Sequence, residues 1–151
     1  MSKFLLKVLS VTHWTDTLFS FQIERPKDFK FKSGEFVMIG LPNSDKPILR
    51  AYSICSPSWD EKLEFYSIIV ENGPLTSKLK NIKINDEIIL MSKSTGTLIL
   101  DALKPAKRLF LFSTGTGFAP FSSIIRDPET YDKFEQIIVT HTCRFKSELH
   151  Y

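Results

Sequence analysis

Apolar and polar residues alternate one for one between positions 19 and 24: Phe19, Phe21 and Ile23 against Ser20, Gln22 and Glu24. A period of two places each set on its own face, so this run predicts a half-buried β-strand. The apolar stretch Phe36-Val37-Met38-Ile39 follows a turn at Ser33-Gly34, and residues 42–47 are loop-forming throughout. Residues 48–54, 63–70 and 87–91 read as further short strands bounded by Pro, Gly, Asn or Asp. Short strands with turns between them predict a small antiparallel barrel over residues 1–100. One short helix is expected after Gly73-Pro74, where proline suits a first helical position and Leu75 and Leu79 lie one turn apart.

Beyond residue 100 the pattern switches. After a polar stretch at 93–107, Arg108-Leu109-Phe110-Leu111-Phe112 predicts a nearly continuous apolar strand. Ser113-Thr114-Gly115-Thr116-Gly117 follows, then a helical run from Pro120 to about Ile125, then a second apolar strand at Gln136-Ile137-Ile138-Val139-Thr140. Ser147-Glu148 looks like the start of another helix. Strand, glycine turn, helix, strand is the βαβ unit of a parallel sheet with both faces covered. The expected fold is therefore β plus α/β: a barrel over 1–100, then an incomplete parallel βαβ domain over 101–151. Two strands and one helix cannot cover both faces of such a sheet. Either this is a piece of a longer protein or a naturally shortened one.

Composition narrows the class. With 42% apolar and 25% charged residues, 13 of them Phe within 151, the chain is neither disordered, nor collagen-like, nor a coiled coil. No stretch approaches the ~20 apolar residues of a membrane span, and no small-residue cleavage site follows the first residues. The expected location is cytoplasmic. The net charge is +3 and the cations are scattered, which argues against a nucleic-acid binder. A local basic face for an acidic partner fits. Cys55 and Cys143 sit in no CxxC pair, so no metal site is expected. Cys55, in an apolar run, reads as a buried thiol.

Three clusters carry candidate chemistry. Arg50-Ala51-Tyr52-Ser53 offers an aromatic plane for a ring system, a hydroxyl, and a planar guanidinium for phosphate; the alternative is an edge strand with an exposed Arg. Gly73-Pro74-Leu75-Thr76-Ser77 puts backbone amides and two hydroxyls at a helix start, an anion site, or an ordinary capped helix. Ser113-Thr114-Gly115-Thr116-Gly117-Phe118-Ala119-Pro120 places glycines between a buried strand and a helix, where backbone approaches a ligand phosphate. Its G-x-G-x-x-P pattern differs from the dinucleotide fingerprint G-x-G-x-x-G, and a structural strand-to-helix turn is the alternative.

In this order the three clusters resemble ferredoxin/flavodoxin–NADP reductases of the bacterial type. Thr95-Gly96-Thr97-Leu98 and Arg126-Asp127-Pro128-Glu129 belong to the same resemblance, which runs from near residue 4 to 151. It implies an FAD-dependent oxidoreductase transferring electrons between NADP(H) and a ferredoxin or flavodoxin. Tyr52 would stack on the isoalloxazine, Ser53 would bond near its reactive nitrogen, and Arg50, beside Ala51, would pair with the pyrophosphate. Tyr66 would flank the ring, and Leu75, Thr76 and Ser77 would bind the pyrophosphate. Thr116 would lie between flavin and nicotinamide. Arg144 would contact the NADP 2′-phosphate, or else is a solvated strand-end cation. Cys143 departs from the family's usual aliphatic residue. Family members continue well past residue 151, so a flavin-binding module lacking NADP turnover is the second reading. A barrel that binds no nucleotide is the third.

Overall fold

The computed structural model describes residues 2–150; Met1 and Tyr151 lie outside the described residues. Six strands form one sheet: β1 (Lys3–His13), β2 (Leu18–Glu24), β3 (Phe36–Gly40), β4 (Leu49–Ser53), β5 (Lys62–Ile68) and β6 (Glu87–Met91). Their spatial order is β4-β3-β6-β1-β2-β5, with every pairing antiparallel. The outer strands β4 and β5 nearly close the sheet into a barrel. Just past β4, the Cys55 amide donates to Glu64 O at 2.8 Å.

The sequence reading singled out every strand of this barrel except β1, the longest of them, which pairs with both β2 and β6. Leu6 and Val8 face the core, yet Leu5 and Leu9 occupy the outer face at 52% and 37% exposure. Apolar residues on both faces hide a period of two. The barrel core is built from Phe19, Phe21, Ile23, Val37, Ile39, Phe65 and Leu90, among others. The Phe21 and Phe65 rings lie 5.5 Å apart, within the range of favourable aromatic pairs. Between β5 and β6, α1 (Thr76–Leu79) begins two residues later than Pro74 and buries Leu79.

The second sheet has two parallel strands, β7 (Ala106–Thr114) and β8 (Phe134–Thr142). A 3₁₀ turn over Gly115–Phe118, α2 (Ala119–Ile125) and α3 (Pro128–Lys133) lie between them. The pattern reading did not mark α3, although Asp127-Pro128-Glu129 carries its signal. Asp127 Oδ1 accepts from the Glu129 amide at 3.0 Å and Pro128 opens the helix, as N-cap and first-turn chemistry favour. Residues 146–148 form one 3₁₀ turn where a helix start was expected.

Leu109 and Leu111 pack with Phe118, Phe121 and Ile124. The opposite face of β7 carries Phe110 and Phe112, exposed and stacked at 6.0 Å. One face of the sheet is covered and the other is not, as expected of two strands with so little chain between them. The single connection between β7 and β8 supplies its helices to that side alone. A small third cluster joins the two units: Leu18, Cys55 and Tyr66 from the barrel with Ala119 of α2. Among the described residues no helix is long and apolar enough to cross a membrane.

Candidate functional site

The strand β4 lies at the edge of the nearly closed barrel, so one side of its side chains looks across a gap toward β5. Tyr52 crosses that gap. Its ring meets Phe65 edge-on, centroids 6.3 Å apart at 89°, and its hydroxyl lies 3.0 Å from Ser67 Oγ. The ring is therefore held at its edge by the core and at its tip by a hydrogen bond. Burial pushes the Tyr52 hydroxyl above its ordinary pKa, and the bond to Ser67 offsets part of that rise. The phenol stays neutral at physiological pH and acts as a hydrogen-bonding group.

Tyr66, on β5, is buried, and its hydroxyl donates to Glu148 O at 3.4 Å. Burial drives its pKa strongly upward, with Cys143, Cys55 and Glu148 adding to the rise. Arg50 stands exposed at the rim, its Nη1 donating to Leu49 O at 2.9 Å. Its guanidinium keeps donors for an incoming anion, because one such bond uses one of five N–H groups.

Opposite β4 stands the 3₁₀ turn that follows β7. Gly115 adopts φ +52, in the left-handed region, which lets the chain leave the strand sharply. A Cβ placed on Gly115 or Gly117 would meet no atom within 4 Å. The backbone here faces open space, so a planar or phosphate-bearing group can approach it closely. His141 stacks on Phe118 beneath this turn at 4.5 Å, and its Nε2 lies 3.2 Å from Gly115 O.

Between these two walls runs a cleft of about 420 Å³, lined by Arg50, Ala51, Tyr52, Ser53, Tyr66, Thr76 and Thr116 together with Ser67, Gly117 and Ala119. Residues from β4, β5, the α1 start and the glycine turn thus share one cavity, although they span 70 positions of sequence. A second cavity of about 750 Å³ adjoins it and holds Arg144, Cys143, Thr142 and Glu148. Thr116 and Ile68 line both.

Three sequence-selected residues are placed differently. Leu75 is buried, so only its backbone is available to a ligand. Thr76 reaches the cleft, but its hydroxyl is engaged by Val70, accepting from the amide at 3.1 Å and donating to the carbonyl at 3.2 Å. Ser77 lines a separate cavity of about 530 Å³ beside Asn43 and Lys78, and its amide donates to Gly73 O at 3.1 Å. The Thr76 hydroxyl thus braces the turn, and Ser77 faces the neighbouring cavity.

Sequence reasoning missed Ser67, which is 3% exposed and anchors Tyr52. No local signal could reveal it, since β4 and β5 meet only when the barrel curls. It also set Cys143 aside, whose Sγ lies 3.3 Å from His141 Nε2. The donor set fits a flat ring system carrying a diphosphate: an aromatic face, neutral hydroxyls, a rim guanidinium and glycine backbone open to solvent.

The chain matches the oxidoreductase FAD-binding domain family over residues 5–98. It is 60% identical to a flavodoxin/ferredoxin–NADP reductase of Rhodobacter capsulatus over 145 residues, covering 95% of this chain and 54% of that protein. It is 55% identical to a ferredoxin–NADP reductase of Pseudomonas aeruginosa over 145 residues, covering 96% of this chain and 56% of that one. The fold superposes with TM-score 0.93 on a ferredoxin NADP+ reductase from Neisseria gonorrhoeae with bound FAD and NADP, at 33% identity, over 97% of this chain and 60% of that one. The chain spans about half the length of the curated relatives it matches.

Proposed function

This chain belongs to the family of oxidoreductase FAD-binding domains, and from that membership we propose that it binds FAD in the cleft between Tyr52 and Thr116 and passes electrons between NADP(H) and a ferredoxin or flavodoxin. The observation that carries this reading is that Thr116 lines both the 420 Å³ cleft and its 750 Å³ neighbour. Two ligand spaces meet at Thr116 and Ile68, the arrangement needed for a flavin in the first and a nicotinamide nucleotide in the second. On this reading residues 1–100 are the FAD-binding barrel and 101–151 the first part of the NADP-binding domain. A cytoplasmic location is part of this reading.

The cleft residues would hold FAD, which would supply two-electron hydride uptake and one-electron release. The chain's own task is to hold, orient and shield. Tyr52, fixed by Phe65 and Ser67, offers its ring as a platform without paying the entropy of a free aromatic side chain. Ser53 follows it on the same strand and brings a hydroxyl to the ring edge. Arg50 and Ala51 take the near side of the cleft, with the Arg50 guanidinium toward the diphosphate. Amides of Leu75 and Thr76 supply the second wall of that site, with Ser77 next to them on α1. Tyr66 closes the buried side. Gly115 and Gly117 leave room for close approach. Arg144, in the second cavity, suits a phosphate dianion better than a ribose hydroxyl and favours NADP over NAD.

FAD titration of the purified protein tests the reading. Saturable uptake is expected, and Arg50→Ala should weaken it by about 10-fold or more, the scale of a charge-assisted hydrogen bond. Unchanged affinity would remove Arg50 from the site, and no uptake would remove the flavin. The second reading is a flavin-binding module without NADP turnover. Anaerobic NADPH decides: bleaching of the flavin band supports the reductase, and a persistent oxidised spectrum supports the module.

A further inference from the structure

Behind the cleft a polar seam binds the two units together. Asp127 is 6% exposed, and its Oδ2 accepts from Ser33 Oγ at 2.7 Å and from Ser58 Oγ at 3.2 Å. The Ser33 hydroxyl in turn accepts from the Ser58 amide at 3.1 Å. Arg126 Nη2 donates to Cys55 O at 2.6 Å, and Ser123 Oγ donates to Ser56 O at 2.8 Å. Trp59 Nε1 returns a bond to Arg126 O at 2.9 Å.

The location of these partners gives the seam its meaning. Residues 55–59 directly continue β4, which carries Tyr52 and Ser53. Ser123 and Arg126 sit on and just after α2, whose other end begins at the glycine turn bearing Thr116. The seam therefore clamps the strand of one cleft wall to the helix of the other. Close packing reinforces it: at Gly34, next to Ser33, a Cβ would stand 3.2 Å from Ile124 Cδ1 of α2. Buried polar networks of this kind define one arrangement because each unmade bond is costly in a low dielectric.

We propose that Asp127, with Arg126 beside it, is a positioning residue that sets the gap between Tyr52 and Thr116, and so the distance over which hydride travels. This rests on the flavin reading above. It assigns to the seam a role chiefly in rate, since the side chains placed against the flavin and its diphosphate, Arg50, Tyr52 and Ser53, lie on the barrel, while Thr116 stands where the two cavities meet.

The test compares Asp127→Ala and Asp127→Asn with the unmodified protein. FAD affinity is expected to stay within about twofold, as for sites without shared partners. Anaerobic single-turnover reduction of the flavin by NADPH is expected to slow about 10- to 100-fold in Asp127→Ala, the penalty of a misplaced reacting pair, with Asp127→Asn intermediate. A purely structural role would lower the unfolding midpoint and leave the rate per FAD-loaded molecule unchanged, and that result overturns the proposal. Should Asp127→Ala fail to fold, Ser33→Ala and Ser58→Ala each remove one donor and are expected to slow reduction in the same direction. Iodide quenching of flavin fluorescence gives a readout independent of NADPH: greater quenching in the variants supports a widened cleft, and equal quenching refutes it. If the unmodified protein takes up no FAD, the flavin reading falls first, and the seam's role in it falls as a consequence.

Discussion

Tyr52 contributes a ring and a hydroxyl, and two substitutions separate them. Tyr52→Phe deletes the 3.0 Å contact with Ser67 and leaves the ring against Phe65. One hydrogen bond contributes about 0.5–1.5 kcal/mol net. Ser67 keeps Ile68 O as an acceptor at 3.4 Å, so no buried hydroxyl is orphaned, and the cost should be about 1 kcal/mol. Tyr52→Ala removes the ring too. The side chain is only partly buried, so the loss should fall below the 3–5 kcal/mol of a fully buried aromatic, at about 2 kcal/mol. Binding should separate the pair more sharply. The Phe variant keeps the platform and should hold FAD at near-native affinity. The Ala variant forfeits a ring-on-ring contact of about 0.5–1.5 kcal/mol, or roughly 2- to 10-fold in Kd. Urea unfolding and fluorescence titration with FAD measure both quantities on the same samples. If Phe and Ala variants bind FAD equally well, the ring does not lie on the flavin, and the placement of the site is wrong.

Gly117→Ala should leave stability within about 0.5 kcal/mol, because the added methyl meets nothing within 4 Å, while FAD or NADPH binding weakens; undiminished binding of both would show that no ligand uses that space. Gly34→Ala combines φ +104 with a Cβ placed 1.8 Å from Leu98 O and should cost more than about 3 kcal/mol; a urea midpoint near that of the unmodified protein would contradict the packing described. Tyr52 and Tyr66 both have hydroxyl pKa values raised by burial. Unfolded tyrosine ionises near 10, so above that pH the unfolded chain releases protons that the native chain retains. Stability from these groups is whole below about pH 10 and declines as pH rises further. Urea unfolding at rising alkaline pH should show that decline, shallower in Tyr66→Phe; an identical slope would mean that Tyr66 titrates freely.

Much of this protein is legible one segment at a time. The alternation at Phe19–Ile23, the apolar run at 108–112 and the glycine turn between strand and helix report local geometry, because side-chain period follows directly from backbone period. The order of Arg50-Ala51-Tyr52-Ser53, the α1 turn and the 115–117 turn likewise pointed to one ligand before any coordinate. Strand β1 escaped because Leu5 and Leu9 blur its period, and α3 because its signal lies in a cap rather than in a repeat.

What tertiary structure decided is which of those groups meet. Barrel closure brings Ser67 under Tyr52, and no spacing along the chain encodes a contact between two strands that become neighbours only through curvature. The tight α1 turn turns Ser77 away from the cleft that Thr76 reaches, a rotation of about 100° per helical residue that residue type does not reveal. The elements bearing the two cleft walls are tied together by Asp127, which accepts from Ser33 and Ser58 and is distant in sequence from both Tyr52 and Ser53. Local pattern follows from each residue's own backbone, whereas the site is a sum of long-range packing in which every element constrains the rest.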